Sequence, residues 1–269
     1  MKKTKKIILF LFIIIMASIL FHFANNYIVS TKYVIHKKES KNNKLNIVQL
    51  SDLHNKEFGK SNSKLISRVK KLNPDVIFLT GDVVDANRTN IDVAIHTAEQ
   101  LVTIAPVYYV SGNHECSLEY EDRAELEMKL EDAGVKVLYN ETVSFNDHFE
   151  IIGLDDGSID ENSDVLKKLV EQCDSSKTTL LLSHEPQVFS WYVKSGVDVV
   201  FCGHAHGGQI RIPFLNIGFV APDQGLFPKY TSGIFTSRNT SMVISRGLGN
   251  SILPLRIFNQ PEIVKVTIQ

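Results

Sequence analysis

The chain has no excess of charge of either sign: 29 Lys and Arg stand against 30 Asp and Glu, a formal net charge of -1 over 269 residues. A general nucleic-acid binder carries a basic surplus to neutralise phosphates, so no nucleic-acid partner is expected. Cysteine is scarce. Cys116, Cys173 and Cys202 are too few, and odd in number, for a disulfide framework, and none has the paired spacing of a zinc ribbon. There is no internal repeat, and no low-complexity linker beyond residue 43. A chain of this length can bury a sizeable core as one large domain or two small ones.

One long apolar run is present. Lys2, Lys3, Lys5 and Lys6 form a basic tail over residues 1–6, ahead of an apolar stretch over 7–24. That stretch, about 18 residues, is just long enough to span a bilayer as a helix. A cleaved secretory signal has a shorter apolar region and a small-x-small site. His22 and Ala24 make a poor cleavage pair, so 7–24 reads as an uncleaved, single-pass anchor. The lysines before it, and the uncharged residues from Asn25 to Thr31, put the N-terminus inside and the domain outside the cell membrane. Lys32, Lys37, Lys38, Lys41 and Lys44 blunt that asymmetry. Residues 25–43, polar and lysine-rich, read as a stalk, and 44–269 as the folded domain.

After the stalk, short apolar runs alternate with amphipathic helical patterns. Residues 45–50, 75–80, 107–110, 179–182 and 197–202 read as strands. Leu65, Ile66, Val69 and Leu72 lie at helical spacing before Asn73-Pro74, and 93–101, 119–133 and 164–172 read as further helices. The last part is nearly all strand: 209–212, 242–245 and 263–268. One α/β domain with two sheets is expected.

Five strand ends carry residues with ligand chemistry: Asp52 and His54; Asp82 after Gly81; Asn113 and His114 after Gly112; His184; and His204 and His206 in Gly203-His204-Ala205-His206-Gly207-Gly208. Each has a bland reading alone. Asp52 or Asp82 can cap a helix, Asn113 can hold a left-handed turn, and His184 can be a satisfied surface ring. Their shared position is harder to set aside, because open α/β sheets bind ligands beyond the carboxyl ends of strands. The set offers carboxylates, an amide oxygen and four imidazoles besides His114, with no thiolate. That suits two divalent manganese, iron or zinc ions sharing a carboxylate. Two such ions about 3.5–4 Å apart stabilise the attacking and leaving oxygens of an in-line displacement at phosphorus. Phosphoester hydrolysis is the chemistry expected.

In this order, Asp52-x-His54, Gly81-Asp82, Gly112-Asn113-His114-Glu115, His184 and Gly203-His204-x-His206 resemble the signature blocks of the calcineurin-like metallophosphoesterase superfamily. The resemblance spans Asp52 to His206. It implies two mixed β-sheets packed as a sandwich flanked by α-helices, making 44–269 the catalytic domain behind the one transmembrane helix read above over 7–24. It implies one metal held by Asp52, His54 and His206, a second by Asn113, His184 and His204, and Asp82 bridging them. His114 is then the general acid or transition-state stabiliser, not a metal ligand, and Asp85 the carboxylate paired with it, fixing the ring and favouring its imidazolium. The protein Ser/Thr phosphatases of the superfamily continue with Arg-Gly where this chain has Ala86-Asn87, which counts against a protein phosphatase.

The tail carries a second, less diagnostic resemblance. Residues 207–213, 221–230 and 246–249 are similar to bacterial membrane-associated phosphoesterases, UDP-diacylglucosamine diphosphatase-like proteins among them. Arg211 and Arg246 either hold a substrate phosphate or form structural salt bridges. Phe214, Phe219, Leu226 and Phe227 either meet lipid tails or pack the domain, and Asp155 and Asp156 either support the site or make a turn. The connection over 218–230 is long for one with little regular structure, a feature common in functional loops. The protein expected is a membrane-anchored, dinuclear-metal phosphodiesterase or diphosphatase whose partner is a phosphorylated lipid-linked or cell-envelope substrate. Two alternatives stand beside it: a tethered nucleotide or cyclic-nucleotide phosphodiesterase, and a non-catalytic scaffold on the same fold.

Overall fold

The computed structural model describes residues 2–37, 43–213, 215, 217–250 and 255–269; Lys38, Lys41 and Phe214 lie outside the described residues. Strands form where the apolar runs are. In chain order they are β1 (Val29–Ile35), β2 (Leu45–Leu50), β3 (Val76–Thr80), β4 (Val107–Val110), β5 (Lys136–Val137), β6 (Glu141–Ser144), β7 (Phe149–Gly153), β8 (Thr178–Leu182) and β9 (Val199–Cys202). Four short ones follow, β10 (Arg211–Ile212), β11 (Ile217–Gly218), β12 (Val220–Ala221) and β13 (Gly225–Leu226), and then β14 (Gly233–Ser237), β15 (Thr240–Ile244) and β16 (Glu262–Ile268). The helices are α1 (Lys2–Asn26), α2 (Ser63–Leu72), α3 (Ile91–Leu101), α4 (Asn113–Cys116), α5 (Tyr120–Asp132), α6 (Val165–Glu171) and α7 (Phe189–Ser195).

One six-stranded sheet has the order β1-β16-β2-β3-β4-β5 and the other β14-β15-β9-β8-β7-β6; β10 pairs with β11 and β12 with β13 in two small ribbons. Both large sheets are mixed. β2 to β5 are parallel with β16 antiparallel to β2, while β15, β9, β8 and β7 are parallel and β14 and β6 join antiparallel.

The period of two along a strand explains the layers. Val76 and Phe78 of β3 enter the cluster between the sheets with Ile47, Tyr108, Leu180 and Phe201. Ile77 and Leu79 face the other way, onto Leu65, Val69, Leu101 and Leu126 of α2, α3 and α5. In the second sheet Leu181 and Val200 meet Leu166, Trp191 and Tyr192 of α6 and α7. Central strands are therefore apolar on both faces, which is why they read as unbroken hydrophobic runs. The result is an α/β fold of two mixed sheets flanked by helices.

The segment read as a stalk contains a strand. β1 pairs in parallel with β16 along its whole length, Val29 opposite Glu262 and Ile35 opposite Ile268. Ile35 is buried and Tyr33 packs on the inter-sheet cluster. Every second residue of β1 is exposed and includes Lys32, as befits an edge strand that must not recruit further partners. That polarity concealed it. Before it, residues Lys3–Asn26 of α1 form a helix long and apolar enough to cross a membrane, by length and composition, a test that a signal sequence also passes. The end of α1 is tied to the domain. Asn25 is 4 % exposed, its Oδ1 accepts from the Arg256 amide at 3.1 Å and from Asn250 Nδ2 at 3.2 Å, and its carbonyl accepts from Lys56 Nζ at 3.0 Å.

Candidate metal centre

The carboxyl ends of parallel strands in both sheets deliver their loops to one place: β2 leads to Asp52 and His54, β3 to Asp82, β4 to Asn113 and His114, β8 to His184, and β9 to His204 and His206. To aim these side chains into the crevice the chain turns sharply. φ is positive at Asp52 (52°), His54 (45°), Asp82 (54°), His204 (65°) and His206 (46°). Asp and His tolerate that region better than most residues, yet each costs about 1–2 kcal/mol there, and such strain concentrates at functional sites. Close approach of the two sheets' loops needs a residue without a side chain. A Cβ on Gly203 would lie 1.9 Å from Ser51 Oγ and 2.5 Å from Asp52 Oδ2. With glycine there, the His204 amide donates to Asp52 Oδ1 at 2.9 Å.

Asp52, His54, Asp82 and His206 are buried, and one ligand atom from each lies within 4.8 Å of the others. His54 Nε2 is 3.4 Å from Asp82 Oδ2, and His206 Nε2 is 3.6 Å from Asp52 Oδ1. Among the described residues, Asp52 Oδ2, both nitrogens of His54 and His206 Nδ1 are buried without a hydrogen-bond partner. Such orphans cost about 1–3 kcal/mol each, and one coordinated cation satisfies several together. Asp82 Oδ2 also lies 3.3 Å from His184 Nε2, so a single oxygen faces both halves of the cluster. Asn113 Oδ1 is 3.2 Å from His184 Nε2 and 2.9 Å from His204 Nδ1.

The outer nitrogens are held as in metal-bound histidines. His184 Nδ1 donates to the Thr80 carbonyl and His204 Nε2 to Asp223 Oδ2, both at 2.8 Å. His204 Nδ1 then points a lone pair at the oxygen of Asn113, a repulsive contact that a cation between them relieves. Asp52, His54 and His206 would hold one divalent ion with nitrogen and oxygen ligands, and Asn113, His184 and His204 would hold a second, with Asp82 facing both.

Protonation follows from the same geometry. Burial pushes His54 and His204 down to about 4, leaving neutral rings ready to coordinate. Burial also opposes charge on His184, but Asp82, Asp52 and Asp156 together hold its imidazolium well above the usual histidine range. A metal needs the neutral ring. At pH 7, loading the empty protein with divalent metal is therefore expected to release about one proton, with affinity rising as pH rises toward the folded-state value of His184. Titration calorimetry in buffers of different ionisation enthalpy measures this, and heats independent of buffer would contradict it.

Three residues at or beside the site carried no assigned role in the sequence. Glu115, fully buried, accepts from the amides of Asp82 (2.7 Å), Gly112 (2.8 Å) and Val84 (3.0 Å), lacing the loop after β3 to the loop after β4. Burial and the nearby Asp82 charge push it up to about 8, against the pull of those amides. Asp223 comes from the long connection over 218–230, whose length was the only signal. Arg256, 1 % exposed, donates to the Arg246 carbonyl and to Asn250 Oδ1, each at 2.8 Å, and nothing in its local sequence marks it.

His114 lies at the rim of the cluster, its ring edge-on to His54 with centroids 4.5 Å apart. Asp85, the carboxylate expected beside it, lies within ion-pair reach, its Oδ1 3.8 Å from His114 Nδ1, longer than a hydrogen bond. Asp85 instead accepts from the Asn87 amide at 3.0 Å and Arg88 Nη2 at 2.7 Å. The Ala86 amide, donating to His114 Nδ1 at 3.0 Å, holds the ring. Arg246 Nη2 meets Glu262 Oε1 at 3.0 Å, the structural alternative, and buried Arg211 donates to the Gly207 carbonyl at 2.7 Å. Asp155 accepts from Ser111 and Arg123. Asp156 keeps Oδ1 buried without a hydrogen-bond partner, and burial pushes it up to about 6.

Comparison with known proteins agrees with this centre. The chain is 30% identical over 225 residues to the uncharacterized metallophosphoesterase YkoQ of Bacillus subtilis, covering 82% of each chain. It is 28% identical over 273 residues to an uncharacterized metallophosphoesterase of Aquifex aeolicus, 96% of this chain and 98% of that one. A transmembrane protein with metallophosphoesterase domain from Danio rerio is 25% identical over 260 residues, 90% of this chain but 57% of the relative. The fold is similar to that of a dimetal phosphatase from Danio rerio, with a TM-score of 0.50 at 12% identity over 76% of this chain and 88% of that one. Residues 45–208 match the family model of calcineurin-like phosphoesterases. That match runs from the start of β2 to the end of the His-x-His loop and takes in every ligand named above; the chain belongs to the calcineurin-like phosphoesterase family and is a metal-dependent phosphoesterase.

Proposed function

We propose that the protein, held at the membrane by α1, hydrolyses a phosphodiester or diphosphate bond of a lipid-linked or cell-envelope substrate. The observation that carries the chemistry is the single oxygen Asp82 Oδ2, buried and facing His54 at 3.4 Å and His184 at 3.3 Å. Bound divalent ions, manganese in this proposal, supply Lewis acidity toward the phosphoryl oxygens. The chain supplies the proton. With Nδ1 of His114 accepting from Ala86, the proton of the neutral ring sits on Nε2, the atom that serves the departing oxygen. The His114 amide donates to Asp82 Oδ1 at 2.9 Å, which registers this acid against the shared carboxylate.

His114→Ala is expected to lower kcat by about 10²–10⁴-fold with metal content unchanged. The measurement is hydrolysis of bis(4-nitrophenyl) phosphate by the full-length protein in detergent with manganese, alongside elemental analysis. Equal loss of metal and turnover would make His114 a ligand instead.

The lipid part of the proposal rests on two supports. The end of α1 is bonded into the domain through Asn25. The ribbons and the segment beside them expose Leu215 (63%), Leu226 (65%), Phe227 (61%) and Phe258 (63%), and the Phe219 and Phe227 rings touch at 5.6 Å while both stay exposed. Apolar surface of this kind marks contact with membrane or partner. The likeness of the tail to UDP-diacylglucosamine diphosphatase-like proteins is one of sequence motifs. Turnover of lipid-linked diphosphates against water-soluble nucleotides separates this function from that of a tethered nucleotide phosphodiesterase, and protease accessibility in intact cells tests the outward-facing domain.

A further inference from the structure

We infer that an open cleft beside His54 is the subsite for the departing group, and that it takes a hydroxylated, anionic headgroup, a polyol or sugar phosphate, presented by a membrane lipid. This rests on the phosphoesterase function proposed above. The cleft, of about 350 Å³, is lined by His54, Asn55, Lys56, Arg88, Asn90 and Asn250. His54 belongs to the ligand cluster, so a group lying in the cleft abuts the reacting phosphorus.

The lining dictates the chemistry of its occupant. It holds two cations and three amides, and among the described residues of the lining there is no Phe, Tyr or Trp on which a nucleobase would stack. Asn55 Nδ2 donates to the Arg88 carbonyl at 2.7 Å, while Asn55 Oδ1 is buried without a hydrogen-bond partner among the described residues. The three amide side chains of the lining offer acceptors as well as donors, which suit hydroxyls and not an ionised phosphate alone. Arg88 and Lys56 ask for the opposite. One edge of the Arg88 guanidinium is on Asp85 at 2.7 Å, yet the side chain is 70% exposed and has five N–H donors to share. Lys56 uses one of its three donors on the Asn25 carbonyl.

Position decides the source. Lys56 and Asn250, which line the cleft, are two of the residues that bind Asn25 at the end of α1. The cleft thus opens where the apolar helix leaves the domain. A helix that crosses a bilayer sets the rim of this cleft at the layer of lipid headgroups, within reach of the lipid's phosphodiester and out of reach of its tails.

The test uses the full-length, manganese-loaded protein in detergent mixed micelles. Its substrates are phosphatidylinositol 4-phosphate, the deacylated water-soluble form of that lipid, phosphatidylcholine and bis(4-nitrophenyl) phosphate. The value of kcat/KM for phosphatidylinositol 4-phosphate is expected to exceed those for phosphatidylcholine and for the deacylated form by about tenfold or more. Asn55→Ala and, separately, Arg88→Gln are expected to lower the ratio of phosphatidylinositol 4-phosphate to aryl diester turnover by about tenfold, through KM. Metal content and melting temperature verify folding, and Arg88 is exposed enough for its variant to fold. A protein that cleaves the aryl diester yet prefers no headgroup, or variants whose ratio is unchanged, would overturn the subsite while the phosphoesterase function stands. Equal turnover of the deacylated form would overturn the lipid source. Failure to cleave any of the four would overturn the phosphoesterase function, and the subsite with it.

Discussion

Asp82→Asn is expected to lower kcat/KM by about 10³-fold or more, roughly 4 kcal/mol of transition-state stabilisation, and to reduce the metal held per chain. Asp82 is 1 % exposed and uses both oxygens. Oδ1 accepts from the His114 amide at 2.9 Å, and Oδ2 faces His54 and His184. An amide cannot serve both sides: its NH2 either confronts the His114 amide, donor against donor, or points into the cation site. The charge matters as well. Burial works against ionisation of Asp82, but His184 and His54 outweigh it and hold the carboxyl far below the usual carboxylate range. That coupling stabilises the empty protein above the ordinary carboxylate value near 3.8 and is lost as pH falls through the depressed folded value. Asn removes it and leaves the His184 imidazolium without its nearest counter-ion, so the proton released on metal binding should vanish too. Elemental analysis, hydrolysis of the aryl diester and calorimetry measure the three effects. A variant that keeps both metals and most of its turnover would show that the carboxylate is not shared.

A second large effect is expected from the backbone. Gly81 has φ +82°, and a Cβ there would lie 2.5 Å from His184 Nδ1, 2.7 Å from Gly112 Cα and 2.8 Å from Gly112 N. Two of these three atoms are main chain and cannot swing aside. Gly81→Ala should therefore destabilise the protein by about 4 kcal/mol or more, combining left-handed strain with overpacking, and disperse the ligands that the turn aims. Gly196 is the matched control: φ is +84°, but nothing lies within 4 Å of the added carbon. Gly196→Ala should cost only the strain, about 1–2 kcal/mol. Denaturant unfolding of the two variants compares them directly. Equal costs would mean that the close approach of the loops after β3 and β4 contributes nothing.

Much of the fold was legible because burial on both faces of a central strand writes an unbroken apolar run. The strands at 45–50, 107–110 and 197–202 were recognisable for that reason, and Asn73, left-handed at φ 48°, ends α2 before Pro74 as expected. Elements that lean on a neighbour were not legible. β1 needs β16 beside it to be a strand at all, and β14 and α7 likewise carry patterns that only their packing explains.

The candidate site divides in the same way. Residue type and spacing at strand ends named the ligands, since a set of carboxylates, amide and imidazoles without thiolate is a chemical property that no folding changes. Partnership was settled only by the tertiary structure. It brought Arg88 and the Ala86 amide to the Asp85–His114 pair, paired Arg246 with Glu262, and brought Asp223 to His204 across 19 residues. It also placed the end of α1 against a cleft beside His54. Ligand identity is local, carried by each side chain's own donor atoms. Hydrogen-bond partnership is decided over a few tenths of an ångström between segments far apart in the chain, a distance that only the packed sheets determine.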